Sequence, residues 1–456
     1  MLVSTVVALL FAASFPVDGA RGDPAAAARV VGHWEGAFSR LGSVQRAEID
    51  LRLEDGALAG TFRIGELGLA GEPLRDVEVT DSTVTFALLY GRFEMRIDSA
   101  AEELTGSNPR WNPVVDLHLK RALPEIVYDT ETVRVGAAGA TIAGMLYLPR
   151  RRGPAPLVVV AGGSEQTTRA QWEYRSWGDV LARHGIAAFV YDRRGHGAST
   201  GDSAHADLRD ESADVVAMVD ALARRPDIDR RRIAVLGTSR GGWVAPLAAA
   251  ASREITVLLL ECAPAVGVIE QELQRISHVE PDDSVSAGDI VQAAAYERFW
   301  LGAARGGAPW SVIDSASVAA RAARWRSIAV IPDSAADVAW WVRNDFDQQA
   351  LLRRIHIPVV AVFGAEDRTV PLAENLEPMR AALAAGGNRE VTIRVIPEAG
   401  HGLWLFGRLR GGEWKWPAAY WRWARKAPGA FEAVITAMAD GGPTSHRAGG
   451  LRQNGP

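Results

Sequence analysis

One cysteine, Cys262, stands in a chain of 456 residues. An internal disulfide is therefore excluded, and no Cys/His cluster has the spacing of a zinc site. Cys262 closes an apolar strand pattern, where a lone thiol reads as a small buried hydrophobe. Long basic runs are missing too, and the formal net charge is -5, which argues against nucleic acid as a partner. The apolar run from Leu2 to Phe15 is too short for a comfortable membrane span. It ends near the small residues of Pro16-Val17-Asp18-Gly19-Ala20. That arrangement reads as a secretory signal over residues 1–20, although no Lys or Arg precedes it. The expectation is an exported chain, secreted or periplasmic, with no transmembrane span once mature.

What is present is a large apolar fraction, 48% of residues, enough for a sizeable core and for two or three domains. Residues 28–122 read as an antiparallel β-rich module. Alternating stretches recur at Ala47–Leu53, Thr83–Leu88, Phe93–Ile97 and Val115–Leu119, separated by turn residues such as Glu54-Asp55-Gly56. Short strands at that spacing predict a small sandwich or barrel. Gly32-His33-Trp34 resembles the Gly-x-Trp opening of lipocalin-like barrels. Two readings follow: a module that packs beside a catalytic domain, or one that holds an apolar ligand or a surface.

From about residue 125 the pattern changes. A leading hairpin, Thr132–Val135 with Thr141–Leu148, is followed by apolar strands alternating with helices. The strands are Leu157–Ala161, Ile186–Tyr191, Ile233–Leu236, Ile255–Leu260, Pro358–Phe363 and Val391–Ile396. Such alternation predicts a doubly wound, mostly parallel sheet covered on both faces. Functional residues then belong just past the carboxyl ends of the strands.

Candidates fall there. Gly237-Thr238-Ser239-Arg240-Gly241 lies between the Arg232–Leu236 strand and the Gly242–Ala250 helix, the strand–turn–helix context that makes G-x-S-x-G meaningful. Gly364-Ala365-Glu366-Asp367-Arg368-Thr369-Val370-Pro371 follows one later strand, and Pro397-Glu398-Ala399-Gly400-His401-Gly402 follows the next. A serine hydroxyl needs an imidazole to take its proton, and the imidazole needs a carboxylate to hold its tautomer. On these motifs the sequence resembles the α/β-hydrolase superfamily, in its serine aminopeptidase-like or dienelactone-hydrolase-like branch, over about Glu125 to Met438. The resemblance implies Ser239 as nucleophile, His401 as base and Asp367 as acid, with Glu366 a solvated neighbour. It places His196 and His205 as the competing histidines.

The same likeness implies an oxyanion hole. One donor is the backbone N–H of Arg240; the other comes from Gly162-Gly163-Ser164-Glu165-Gln166-Thr167-Thr168-Arg169. Matching Thr168-Arg169 to the family's His-Gly-Ser-Gly-Pro-x-x-Arg selects Ser164, with Gly163 left open beside it. Tyr191–Gly201 matches the family's Asp-x-Arg-Gly-x-Gly-x-Ser loop, read as turn architecture around Asp192. The stretch 263–346 lacks strand character and holds Trp300, Trp310, Trp325, Trp340 and Trp341. The family has a helical cap there. Val291–Leu301 and Ala319–Ile328 have helical spacing. Adjacent Trp340 and Trp341 cannot both face one helix's core, so one of them faces a cleft or interface. Residues 441–456 read as a polar, disordered tail.

The reading is therefore an α/β-hydrolase domain, about residues 125–440, behind a small antiparallel β domain. It implies an exported serine hydrolase that cleaves small-molecule apolar carboxylic esters through an acyl-enzyme, with no cofactor and no metal. A serine peptidase with the same triad is the alternative, and a lipid- or surface-binding role for the β module is the second. Neither ester specificity nor oligomeric state is legible in the chain.

Overall fold

Period-two alternation along the first 122 residues becomes strands with one buried face. Val84, Phe86 and Leu88 of β6 (Thr83–Leu88) point inward, as do Phe93, Met95 and Ile97 of β7 (Gly91–Ile97). A computed structural model describes residues 24–40, 43–64, 69–88, 91–108, 115–122, 127–164, 167–281, 285–397 and 399–405, with 425–426, 434 and 436–438. The expected signal segment 1–20, the tail 441–456 and the tryptophans from Trp414 to Trp423 lie outside the described residues.

The module begins with helix α1 (Pro24–Val30) and continues through β1 (Gly32–Arg40), β2 (Ser43–Glu54), β3 (Ala57–Ile64), β4 (Leu69–Pro73), β5 (Arg75–Val79), β6, β7, β8 (Glu103–Asn108) and β9 (Val115–Ala122). All neighbours are antiparallel, and β1 pairs with β9, so the meander runs β4-β3-β2-β1-β9-β8-β7-β6-β5. Only Leu74 separates β4 from β5, and its amide bonds to Gly60 of β3. The sheet thus curls until its two edges meet, nearly a barrel. Trp34, Ile49, Phe62, Phe86, Phe93 and Met95 fill the interior, none more than 1% exposed. Trp34 donates to the Val30 carbonyl at 2.9 Å, and the Arg121 guanidinium lies 4.4 Å over its ring. Among the described residues these side chains form a single packed core.

The second sheet has the order β10-β11-β13-β12-β14-β15-β16-β17. Strands β10 (Tyr128–Ala137) and β11 (Ala140–Pro149) form the leading hairpin, and β11 pairs antiparallel with β13 (Ala187–Tyr191). The rest are parallel: β12 (Ala155–Ala161), β14 (Ile228–Thr238), β15 (Val257–Glu261), β16 (Val359–Gly364) and β17 (Val391–Ile396). Every residue of β12, β13, β15 and β16 is buried, which is why these segments read as continuous apolar runs. Helices α2 (Trp172–Arg183), α3 (Leu208–Leu222), α4 (Gly241–Ala251) and α10 (Leu372–Ala385) complete the α/β arrangement. The chain leaves β12 first toward β13 and then returns to its other side as β14. The crevice between β12 and β14 is therefore the topological switch point where ligands bind such sheets.

Between β15 and β16 lie α5 (Val268–Ser277), α6 (Ala287–Arg305), α7 (Trp310–Arg321), a short 3-10 turn (Arg324–Ser327), α8 (Ala335–Asn344) and α9 (Gln348–Leu352). The helical spacing read over Ala319–Ile328 is interrupted: α7 stops at Arg321, and the 3-10 turn swings Trp325 against Tyr296, ring centroids 5.3 Å apart. Trp341 meets Trp300 edge-on at 5.7 Å inside this layer. Trp340 faces out of it and donates to the Ala206 carbonyl at 3.0 Å. Among the described residues no helix is long and apolar enough to cross a membrane.

A carboxyl pair sits inside the same layer. Glu297 of α6 is fully buried, its Oε1 accepting from the Val330 amide at 2.7 Å, while Arg275 pairs with Glu272 of α5. Burial, and then the charge of Glu272, push the Glu297 carboxyl up to about 9. Folded protein therefore keeps a proton that the unfolded chain releases above the ordinary Glu value of about 4.3. The associated stability is complete below that value and is lost as pH rises toward about 9. Glu297→Gln keeps the acceptor for Val330 and offers Glu272 a permanent donor. The variant is expected to lose several degrees less Tm than the parent between about pH 6 and 9. Parallel Tm losses in a thermal titration would disprove the protonated pair.

Candidate active site

The elbow after β14 depends on two glycines. A Cβ on Gly237 would stand 2.3 Å from the Gly241 carbonyl oxygen, and one on Gly241 would stand 2.0 Å from that of Ala161. Close backbone approach on both sides leaves Ser239 at φ 50, a left-handed conformation uncommon outside glycine. The Ser239 amide donates to the Glu261 carbonyl at 3.0 Å, and its carbonyl accepts from Gly242 at 2.7 Å. The serine is thereby presented at the amino-terminal end of α4 (Gly241–Ala251), where the helix dipole is positive.

His401, in the loop after β17, meets the Ser239 Oγ through Nε2 at 2.9 Å. Its Nδ1 faces Asp367 at 2.9 Å from Oδ2 and 3.2 Å from Oδ1. Asp367, after β16, is 4% exposed, and its Oδ1 accepts from the amides of Thr369 and Val370, each at 2.8 Å. Of the two neighbouring acids it is Asp367 that bonds the imidazole, while Glu366 is half-buried. Of the competing histidines, His205 is exposed and pairs with Asp202 at 2.6 Å. Burial, followed by the charge of Arg193, lowers the pKa of His196.

Cys262 has a place that its strand pattern does not show. It follows β15 at φ 47, is 1% exposed, and its Sγ, an Asp367 oxygen and a His401 nitrogen lie within 4.8 Å of one another. Burial, then the charges of Asp367 and Glu261, push the thiol well up, so it stays protonated. These three side chains are the group among the described residues whose atoms converge at metal-like distances. Both ring nitrogens of His401 are already engaged, by Asp367 and Ser239.

On the other side of the crevice, β12 runs into Gly162-Gly163-Ser164. The Gly163 amide donates to the Tyr174 hydroxyl at 2.9 Å, and its carbonyl accepts from Arg193 at 3.1 Å. Ser164 is exposed next to it. Tyr174, unremarked in the sequence, therefore occupies one of the two amides left open there. Arg240, directly after Ser239, sends its guanidinium away to Glu211, 3.3 Å from Nε to Oε2, and lies 4.8 Å over the Trp340 ring. Asp192 accepts from the Arg169 and Ala198 amides and pairs with the Arg169 side chain, each at 2.8 Å. Its turn-building role is thus visible. Contacts such as Trp340 on Arg240 carry no local sequence signal beyond the outward face of an aromatic dipeptide.

A sheet of this order, with its strand–turn–helix elbow at the switch point, defines an α/β-hydrolase. The sequence profile of the X-Pro dipeptidyl-peptidase (S15) family matches residues 138–393, more than half of the chain. The chain belongs to that family. A protein of Escherichia coli K12, uncharacterized protein YfhR, is 28% identical over 119 residues. That stretch spans 25% of this chain and 40% of the relative. Among solved structures, hypothetical protein PA2218 of Pseudomonas aeruginosa has 16% identity and a TM-score of 0.45, covering 69% of this chain and 94% of its own. The Pyrococcus furiosus esterase Pf2001 has 17% identity and a TM-score of 0.41, covering 61% and 86%.

Proposed function

We propose that the chain cleaves carboxylic esters by a Ser239–His401–Asp367 triad through an acyl-enzyme. One observation carries the reading: an unbroken hydrogen-bonded line from Ser239 Oγ through both nitrogens of His401 to a buried Asp367 carboxylate. In the forward step the Ser239 oxygen bonds the substrate carbonyl carbon as its proton passes to His401 Nε2. The tetrahedral intermediate then expels the alcohol, which takes that proton. Water repeats the cycle on the acyl-serine, releasing the acid and restoring the hydroxyl. Asp367 holds Nδ1–H toward itself and offsets the imidazolium charge. The backbone amides of Arg240 and Ser164 are the proposed oxyanion donors. Engagement of the Gly163 amide by Tyr174 supports Ser164 over its neighbour. Export of the chain is likewise proposed, on the apolar run Leu2–Phe15.

The family match favours a second reading, cleavage of peptides with a free amino terminus. That chemistry needs a carboxylate near Ser239 for the substrate ammonium. Among the described residues Glu211, Asp192 and Asp367 are committed to Arg240, Arg169 and His401. Of the candidates in the sequence, Glu272 is committed to Arg275 inside the helical layer, Glu270 is exposed, and Glu165 lies outside the described residues. Ester cleavage, with a better leaving group, fits this site best. The expected result is a kcat/KM for p-nitrophenyl butyrate at least about a hundredfold above that for alanyl-prolyl p-nitroanilide, since amide expulsion demands firmer proton donation. Preference for the anilide would replace the esterase reading with the peptidase one.

A further inference from the structure

Helix α2 is held from both sides. Tyr174, Trp177 and Leu181, at helical spacing, face the sheet and are at most 2% exposed. Arg175, Asp179 and Arg183, one turn apart along the opposite stripe, face the amino-terminal barrel. Arg63 of β3 reaches Asp179 at 2.5 Å, Arg183 reaches both Asp179 at 3.1 Å and Glu48 of β2 at 3.2 Å, and Arg175 reaches Glu72 of β4 at 2.7 Å. Tyr128, at the entry to β10, donates to the same Asp179 oxygen at 2.5 Å. The Asp179 and Glu48 side chains are 1% and 8% exposed. Two buried carboxylates and the two guanidiniums that face them are thus satisfied by one another in place of water. A loosely tethered module would leave such groups solvated, so the barrel is a docked part of the hydrolase.

The helix so held also carries the link to the crevice. The Tyr174 hydroxyl accepts from the Gly163 amide, and a Cβ on Gly162 would come within 2.7 Å of the Tyr174 ring carbon. The loop backbone therefore lies directly on this ring, and a shift of α2 is a shift of the loop.

We propose that the amino-terminal barrel is a positioning element for the oxyanion loop: Glu48, Arg63 and Glu72 hold α2, and Tyr174 on α2 holds the 162–164 backbone. The role assigned to that loop rests on the proposed function; the mechanical connection does not. The test uses the full-length chain with Asp179→Asn, Tyr174→Phe, Glu72→Arg, and Glu72→Arg combined with Arg175→Glu. Amide hydrogen exchange over residues 157–173 is expected to quicken about tenfold in Asp179→Asn and Tyr174→Phe, as local opening becomes easier. The kcat per fluorophosphonate-titrated site should fall about tenfold with KM changed less than about twofold, the loss of roughly one well-placed hydrogen bond. Glu72→Arg should show a smaller loss in the same direction, and the reversed pair should restore it. Restoration is the readout that a merely less stable protein would not give, and it carries the test if Asp179→Asn does not fold. Exchange is measured in the Ser239→Ala chain as well, so failure of the nucleophile assignment leaves the mechanical question answered separately. Unchanged loop exchange and unchanged kcat per site in folded interface variants would overturn the proposal and make the barrel a passenger.

Discussion

Ser239→Ala is expected to abolish labelling by a fluorophosphonate and to lower ester turnover by at least about 10⁴-fold. The size follows from chemistry: with no oxygen at this position no acyl-enzyme forms, and water must attack without a covalent step. What remains is binding and the oxyanion donors. The fold should be unaffected. The alanine Cβ occupies the position of the serine Cβ, the φ of 50 is as costly for one as for the other, and the amide bond to Glu261 does not involve the side chain. Thermal unfolding within a degree or two of the parent is therefore part of the expectation. Retained labelling in a folded alanine variant would remove Ser239 from the mechanism.

A comparable loss, on the order of 10⁴ in kcat, is expected for Asp367→Asn. The direction can be read from the hydrogen bonds. Thr369 and Val370 both donate to Oδ1, so an asparagine turns its carbonyl oxygen toward them and its NH₂ toward His401. An imidazole facing a donor must accept at Nδ1, which puts the ring proton on Nε2, opposite the Ser239 oxygen. In that tautomer the ring has no lone pair for the serine proton. KM should change little, because the carboxylate lies behind the imidazole and not in the crevice. Glu366→Gln serves as the control and should keep activity within a few-fold of the parent. If the glutamine variant takes the large loss and the asparagine variant does not, Glu366 is the acid.

The fold class was legible because its signals are short-ranged. Period two in β6, β7 and β9 reports one buried face, and an unbroken apolar run reports two. In β12 that run is Leu157-Val158-Val159-Val160-Ala161, every residue buried. The elbow was legible for the same reason, since Gly237 and Gly241 occur where any Cβ would strike a carbonyl a few residues away or on the adjoining strand. Helix breaks were harder. Nothing in Ala319–Ile328 marks the stop after Arg321, because the gain that drives it, Trp325 against Tyr296, comes from another helix.

By itself the sequence determined two structural units, the strand order of motifs, and the three post-strand loops that hold Ser239, Asp367 and His401. Each follows from local backbone preference and from which side chains water rejects. Tertiary structure alone decided that Cys262 lies against Asp367, that Trp340 stacks under Arg240, that Tyr174 takes the Gly163 amide, and that Glu48, Arg63 and Glu72 grip α2. These contacts join charged or polar residues, many of them more than a hundred positions apart. A charged side chain looks the same in sequence whether water or a distant partner neutralises it, and only the packed fold brings the partner within reach.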